Sequence, residues 1–98
     1  MFIKMNTVED RFTNFKKFIY NAIPLEARGH PLLAQMESAP LPMFLSSIHS
    51  HQAEGCSEIF GGMLDKMELK ESDIKKEDIQ KLWRYIAYFK EVSKEVYA

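Results

Sequence analysis

The chain has 98 residues, 46% of them hydrophobic and 28% charged, and its 13 basic and 14 acidic side chains leave a formal net charge of −1. A chain of this length forms one domain with one core, and its apolar content argues against disorder. The balanced charge excludes the surplus of lysine and arginine that displaces counterions from nucleic-acid phosphates, so we expect no nucleic-acid partner.

The cysteine content and the N-terminal residues indicate the compartment. A single cysteine, Cys56, cannot form a disulfide within the chain, and residues 1–6 lack the apolar core of a secretory signal peptide. No apolar run approaches the roughly 20 residues that a membrane-spanning helix requires. The sequence therefore predicts a protein of a reducing, intracellular compartment, in the cytoplasm or in a virion, with no membrane partner.

The first strong helical pattern covers residues 6–22, where apolar side chains recur every three or four positions. This spacing places them on one face of an amphipathic α-helix. Asn6 and Thr7 are suitable N-cap residues, and Pro24 should end the helix because the residue before a proline is pushed out of the helical region. Residues 1–5 are then a short lead-in. The apolar face comprises Val8, Phe12, Phe15, Ile19 and Ala22.

The middle of the chain has a different composition. Residues 29–65 contain no lysine or arginine, yet they hold all four glycines, all three histidines, the cysteine and three of the four prolines. Pro31 and Pro42 suit the first turns of two short helices. Helical spacing continues from Cys56 to Met67, although the Gly61-Gly62 pair requires that this helix bend or that a neighbour pack closely against it. We predict short helices over residues 31–70.

The second strong pattern covers residues 74–97, with Ser72 or Asp73 as its N-cap. Its apolar and aromatic positions span about half of the helix circumference, which is wider than contact with one neighbour requires. We therefore expect this helix to pack against more than one element. Its apolar positions include Ile79, Leu82, Trp83, Ile86, Phe89 and Val96.

Strand signals are poor, because no segment alternates apolar and polar residues over more than a few positions. The sequence predicts an all-α fold, a single small domain of four or five helices in which two long terminal helices pack around the middle segment. The predicted core residues are Phe12, Phe15, Ile19, Leu82, Trp83 and Ile86.

Four side chains of the middle segment have the chemistry of zinc ligands. On a helix over residues 43–52, however, His49 and His51 would lie about 200° apart around the axis and could not share an ion. The paired spacing of structural zinc sites is also absent. We expect no metal or other cofactor, and a small metal-binding regulatory domain stays as the alternative function. Its ligands would be His30, His49, His51 and Cys56, with Glu54 as a further candidate.

Signatures of catalysis are missing from the sequence. Cys56 could be activated as a nucleophile at a helix N-terminus, but its spacing to Ile59 favours a packed position. The Gly61-Gly62 pair lacks the remaining residues of a phosphate-binding loop. Aromatic side chains of the last helix could stack on bases, but the lysines and arginine beside them are countered by nearby acids. The aromatic residues are Trp83, Tyr85, Tyr88 and Phe89; the cations are Lys81, Arg84 and Lys90; the acids are Glu77, Asp78 and Glu91.

Several features favour contact with another protein. Six methionines supply side chains that adapt to irregular apolar surfaces, and Tyr88 projects away from the apolar stripe of the last helix. We expect an interface within residues 41–67, supported by the Tyr88 side of the last helix. The competing account is that the uncharged middle forms the core between the terminal helices. The predicted interface residues are Met43, Phe44, Ile48, Phe60, Met63, Met67 and Tyr88.

The segment Asp78–Phe89, with the sequence DIQKLWRYIAYF, loosely resembles the closing helix of small uncharacterised helical proteins encoded by large DNA viruses. The resemblance covers about a dozen residues of an amphipathic pattern that many helices share, and it implies no function. The leading interpretation is a non-enzymatic interaction module, which acts as an oligomer, an adaptor or a small structural subunit of an assembly such as a virion. A further alternative is an enzyme subunit that completes a site shared with another chain.

Overall fold

A computed structural model describes residues 4–97, and the predicted all-α class is confirmed, because no strand occurs among these residues. Residues 25–27 and 71–73 form short 3-10 turns. No helix within residues 4–97 combines the length and the apolarity that crossing a membrane demands. The five α-helices are α1 (Met5–Ala22), α2 (Pro31–Ser38), α3 (Leu41–Ser50), α4 (Cys56–Lys66) and α5 (Lys76–Val96).

Helix α1 begins earlier than predicted. Its N-cap is Lys4, so Asn6 and Thr7 are already helical and neither is the cap residue. The carbonyl oxygen of the Asn6 side chain instead accepts a hydrogen bond from the backbone N–H of Thr7 at 3.0 Å. Residues 1–3 of the predicted lead-in lie outside the described residues. The helix ends before Pro24, as predicted, because Ile23 is extended with φ −78° and ψ 155°.

Proline and histidine set the beginnings of the two short helices. Pro31 is the first residue of α2, as predicted, and its N-cap His30 accepts a hydrogen bond at Nδ1 from the N–H of Leu32 at 3.1 Å. Pro42 is the second residue of α3, within the first turn. The missing N–H of a proline costs nothing in a first turn, since that group has no intrahelical partner there.

Helix α4 runs through both Gly61 and Gly62. A Cβ atom built on either glycine would have no neighbouring atom within 4 Å, so close packing of a neighbour does not account for the pair. After the helix, Glu68 adopts a left-handed conformation with φ 59°. The N–H of Leu69 then reaches the carbonyl oxygen of Leu64 at 2.9 Å, which closes the helix in a Schellman motif.

Helix α5 is the central packing element. It packs against α1, α3 and α4, which confirms that its broad apolar arc serves more than one neighbour. Its N-cap is Lys75, because Ser72 and Asp73 belong to the preceding 3-10 turn, where Asp73 Oδ2 accepts a hydrogen bond from the N–H of Lys70 at 2.9 Å. At its other end Tyr97, which the prediction included in the helix, is the C-cap.

The core forms where α1, α3 and α5 meet. Phe15 is fully buried, with ring centroids 5.6 Å from Phe44, 5.3 Å from Tyr85 and 5.4 Å from Phe89. The predicted core residues are buried except Trp83, which is half-buried at the edge of the arc. The middle segment also supplies core side chains, as the competing account required. These are Leu33, Leu41, Leu45, Ile48, Ile59, Phe60 and Leu64.

Candidate functional site

Helices α2, α3 and α4 leave an open groove of about 360 Å³ between them. Three methionines line it, and each comes from a different helix, so no single periodic pattern in the sequence brings Met36, Met43 and Met63 together. We call this feature the methionine groove. Its apolar lining includes Met36, Met43, Phe44 and Met63, and its polar lining includes His51, Glu54, Glu58 and Lys66.

Met43 and Phe44 present their side chains differently. Met43 is 64% exposed in the first turn of α3. Phe44 is half-buried, because its ring stacks on Phe12 at 4.7 Å and meets Phe89 edge-on at 5.1 Å. The groove therefore has a fixed aromatic surface beside a flexible thioether, a combination that accommodates apolar side chains of different shapes.

The polar side of the groove is acidic. Glu58 lies in the first turn of α4, and Glu54 lies in the preceding turn, where it pairs with Nδ1 of His51. Lys66, in the last turn of α4, is the one lysine or arginine among the described residues that line the groove. Two carboxylates in the lining give the groove a surplus of negative charge over its one lysine.

The structure separates the predicted interface residues into two groups. Met43, Phe44 and Met63 line the groove, and Ile48 lies buried at its floor. Phe60 and Met67 are only 3% and 5% exposed. They join the core, since α4 packs against α5 as well as bordering the groove, and their role at an interface stays a prediction.

Tyr88 does not line the methionine groove. The guanidinium carbon of Arg11 lies 4.6 Å from the centroid of its ring, and the ring of Phe89 meets it edge-on at 5.2 Å. Tyr88 is half-buried and faces a separate cleft between α1 and α5. Its ring therefore lies on a different cleft from the methionine groove, and its part in an interface with residues 41–67 stays a prediction.

The four predicted metal ligands occupy different parts of the fold. His30 caps α2, and the ring of His49 lies 5.1 Å from that of Tyr97. His51 pairs with Glu54, while Cys56 is the half-buried first residue of α4. Within residues 4–97, no three histidine, cysteine, aspartate or glutamate side chains are placed to hold a metal ion together. The alternative function therefore finds no ligand set among the described residues.

Arg11 is not among the predicted site residues. It belongs to α1 and reaches Tyr88 of α5 only because the two helices lie side by side. The sequence signal that bears on this contact is the pair of long amphipathic patterns, because two such helices can pack side by side in antiparallel orientation. The cleft that results is lined by Arg11, Phe18, Lys81, Arg84, Tyr85 and Tyr88.

Comparisons with known proteins add no family to these observations. No protein-family model matches the chain, and no curated protein and no solved structure matches it either.

Proposed function

We propose that this protein is a non-enzymatic helical module that binds another protein through the methionine groove, as an adaptor or a small subunit of a larger assembly. The observation that carries the proposal is the exposure of Met43 beside Phe44 in an open apolar groove. A single exposed apolar side chain needs no explanation, but an apolar groove with a polar rim is typical of a protein interaction site.

The occupant that fits best is an amphipathic helix with basic residues beside its apolar stripe. Apolar side chains at positions i, i+3, i+4 and i+7 of such a helix would enter the groove. Lysine or arginine beside them would approach Glu54 and Glu58, where opposite charge favours the encounter. A symmetric pair of copies would bring two acidic rims towards each other, which makes self-association the less favourable arrangement.

The compartment is part of the same proposal. The single cysteine, Cys56, is free, which suits a reducing, intracellular setting. A small adaptor of this kind would serve equally in a cytoplasmic complex or in a virion.

The first experiment uses a synthetic helical peptide with a leucine stripe flanked by lysines, and the full chain labelled at its methionine methyl groups. We expect the peptide to shift the NMR signals of Met36, Met43 and Met63, which line the groove, and to leave that of the buried Met67 unchanged. A peptide with glutamate in place of lysine should bind more weakly. Equal binding of the two peptides would overturn the charge argument, and shifts confined to other methionines would overturn the site.

The matched variants are Met43→Glu and Leu25→Glu. Both residues are exposed, at 64% and 72%, but Leu25 lies in the 3-10 turn after α1 and not in the groove. Met43→Glu should abolish peptide binding, and Leu25→Glu should leave it unchanged. Sedimentation over a range of concentrations tests the other occupant: a dimer that Met43→Glu dissociates would assign the groove to a second copy and overturn the choice of a basic helix.

A further inference from the structure

The second cleft lies between the two long terminal helices. Arg11 of α1 meets Tyr88 of α5, while Phe18, two turns later in α1, meets Lys81, two turns earlier in α5. The two helices are therefore antiparallel, and the cleft follows their line of contact. We call it the cationic cleft. It has a volume of about 360 Å³ and is lined by Arg11, Phe18, Lys81, Arg84, Tyr85 and Tyr88.

Among the described residues, every ionised side chain that lines this cleft is positive. Among residues 4–97, Arg11, Lys81 and Arg84 form no ion pair with a carboxylate. Their side chains also donate no hydrogen bond within that part of the chain, and all three residues are exposed. Positive side chains along one cleft give it a positive potential, which favours the binding of an anion there.

The aromatic residues hold two of the cations in place. The guanidinium of Arg11 lies over the ring of Tyr88 at 4.6 Å, and the ammonium of Lys81 lies over the ring of Phe18 at 5.6 Å. Such cation–π contacts restrict a side chain without consuming its hydrogen-bond donors. The cleft is thus lined by aromatic side chains and by hydrogen-bond donors of Arg11 and Lys81 whose positions the rings restrict.

We propose that the cationic cleft binds a phosphate monoester carried on a planar ring, of the class of nucleoside monophosphates. The planar fork of an arginine matches two phosphate oxygens, and Arg11 and Arg84 supply two such forks from different helices. Tyr85, which also lines the cleft and over whose ring no cation of residues 4–97 lies, provides surface for the flat ring of the ligand. A volume of about 360 Å³ lies at the low end of small-molecule sites, which favours a mononucleotide over a larger cofactor.

A nucleic acid is a poorer fit than a small ligand. A polyanion binds along a track of lysine and arginine, and its affinity depends on neutralising many phosphates. Here only three cations of the described residues line the cleft, and α5 continues on either side with the exposed carboxylates of Glu77 and Glu91. This inference is independent of the proposed binding of a protein at the methionine groove.

The test titrates the full chain, at low ionic strength, with adenosine monophosphate, inorganic phosphate, adenosine and phosphotyrosine. Adenosine monophosphate should bind, and it should bind more tightly than either inorganic phosphate or adenosine. If inorganic phosphate binds as tightly as adenosine monophosphate, the ring contributes nothing to affinity. If adenosine binds as tightly, the phosphate group contributes nothing. Either result overturns the proposal. Tighter binding of phosphotyrosine would assign the cleft to a phosphorylated protein instead.

The variants are Arg11→Gln and Arg84→Gln, with Lys17→Gln as the matched control. All three residues are exposed and each change removes one positive charge, but Lys17 does not line the cleft. Each arginine variant loses one charge-assisted contact, so its affinity for adenosine monophosphate should fall by roughly tenfold or more. The control should bind as the unmodified chain does, and circular dichroism should show unchanged helix content in all three. Equal weakening by Lys17→Gln would mean that only overall charge matters, which would overturn the site.

Discussion

Gln52 donates a hydrogen bond to the hydroxyl oxygen of Ser93, although the two residues lie 41 positions apart in the chain. The same Nε2 donates to the carbonyl oxygen of Lys90 at 3.0 Å, and Ser93 is fully buried. The ammonium group of Lys90 in turn donates to the carbonyl oxygen of Glu54. These bonds fix the turn between α3 and α4 onto α5, and with it the acidic rim of the methionine groove.

Replacing Ser93 with alanine should lower the free energy of unfolding by about 0.5–1.5 kcal/mol, because the half-buried amide of Gln52 then keeps only the carbonyl oxygen of Lys90 as its acceptor. Urea denaturation of the two proteins measures this difference. Ser57→Ala, at an exposed position of α4, is the control and should change stability by less than about 0.5 kcal/mol. Equal values for the two variants would show that the contact between Gln52 and Ser93 contributes nothing.

Replacing Phe15 or Ile86 with alanine should lower the free energy of unfolding by roughly 2–5 kcal/mol. The truncated side chain buries less apolar surface, and a cavity remains where the removed atoms were. Both side chains are fully buried, and Phe15 lies among three other aromatic rings. The same denaturation experiment applies, with Leu25→Ala as a control at an exposed apolar position. A cost below about 1 kcal/mol would contradict the packing described for α1 and α5.

Replacing Gly61 with alanine should raise stability by about 0.5–1 kcal/mol. Glycine in a helix interior loses more backbone entropy on folding than alanine does, and the added Cβ meets no atom within 4 Å. An increase in the melting temperature is the expected result. A decrease would mean that α4 needs the freedom of its glycine pair, for example to bend.

Replacing Glu68 with glycine should also stabilise the protein, by about 0.5–1 kcal/mol. The left-handed conformation at φ 59° strains any side chain with a Cβ, and glycine avoids that cost while losing some entropy. Glu68→Ala is the matched control, because it removes the charge but keeps the Cβ. If the alanine variant gains as much as the glycine variant, the effect comes from the carboxylate and not from the backbone.

Helical periodicity was sufficient to predict the two long helices to within one or two residues, together with five of the six core positions. Periodicity could not tell which apolar residues of α4 enter the core and which line the groove. Phe60 and Met63 belong to one apolar pattern, yet Phe60 enters the core and Met63 lines the groove. That division depends on where α5 and α3 lie around α4, which is a property of the tertiary arrangement. The contact between Arg11 and Tyr88 depends likewise on the pairing of distant helices.

The central place of α5 bears on the order in which the protein folds during synthesis. Helices α1, α3 and α4 all make their main contacts with α5, and α5 follows all three of them in the chain. Until α5 is synthesised, the faces of α1, α3 and α4 that pack against it stay uncovered, so native packing is not complete before α5 has formed. A nascent chain that stops before Lys76 would keep those faces open to chaperones and proteases.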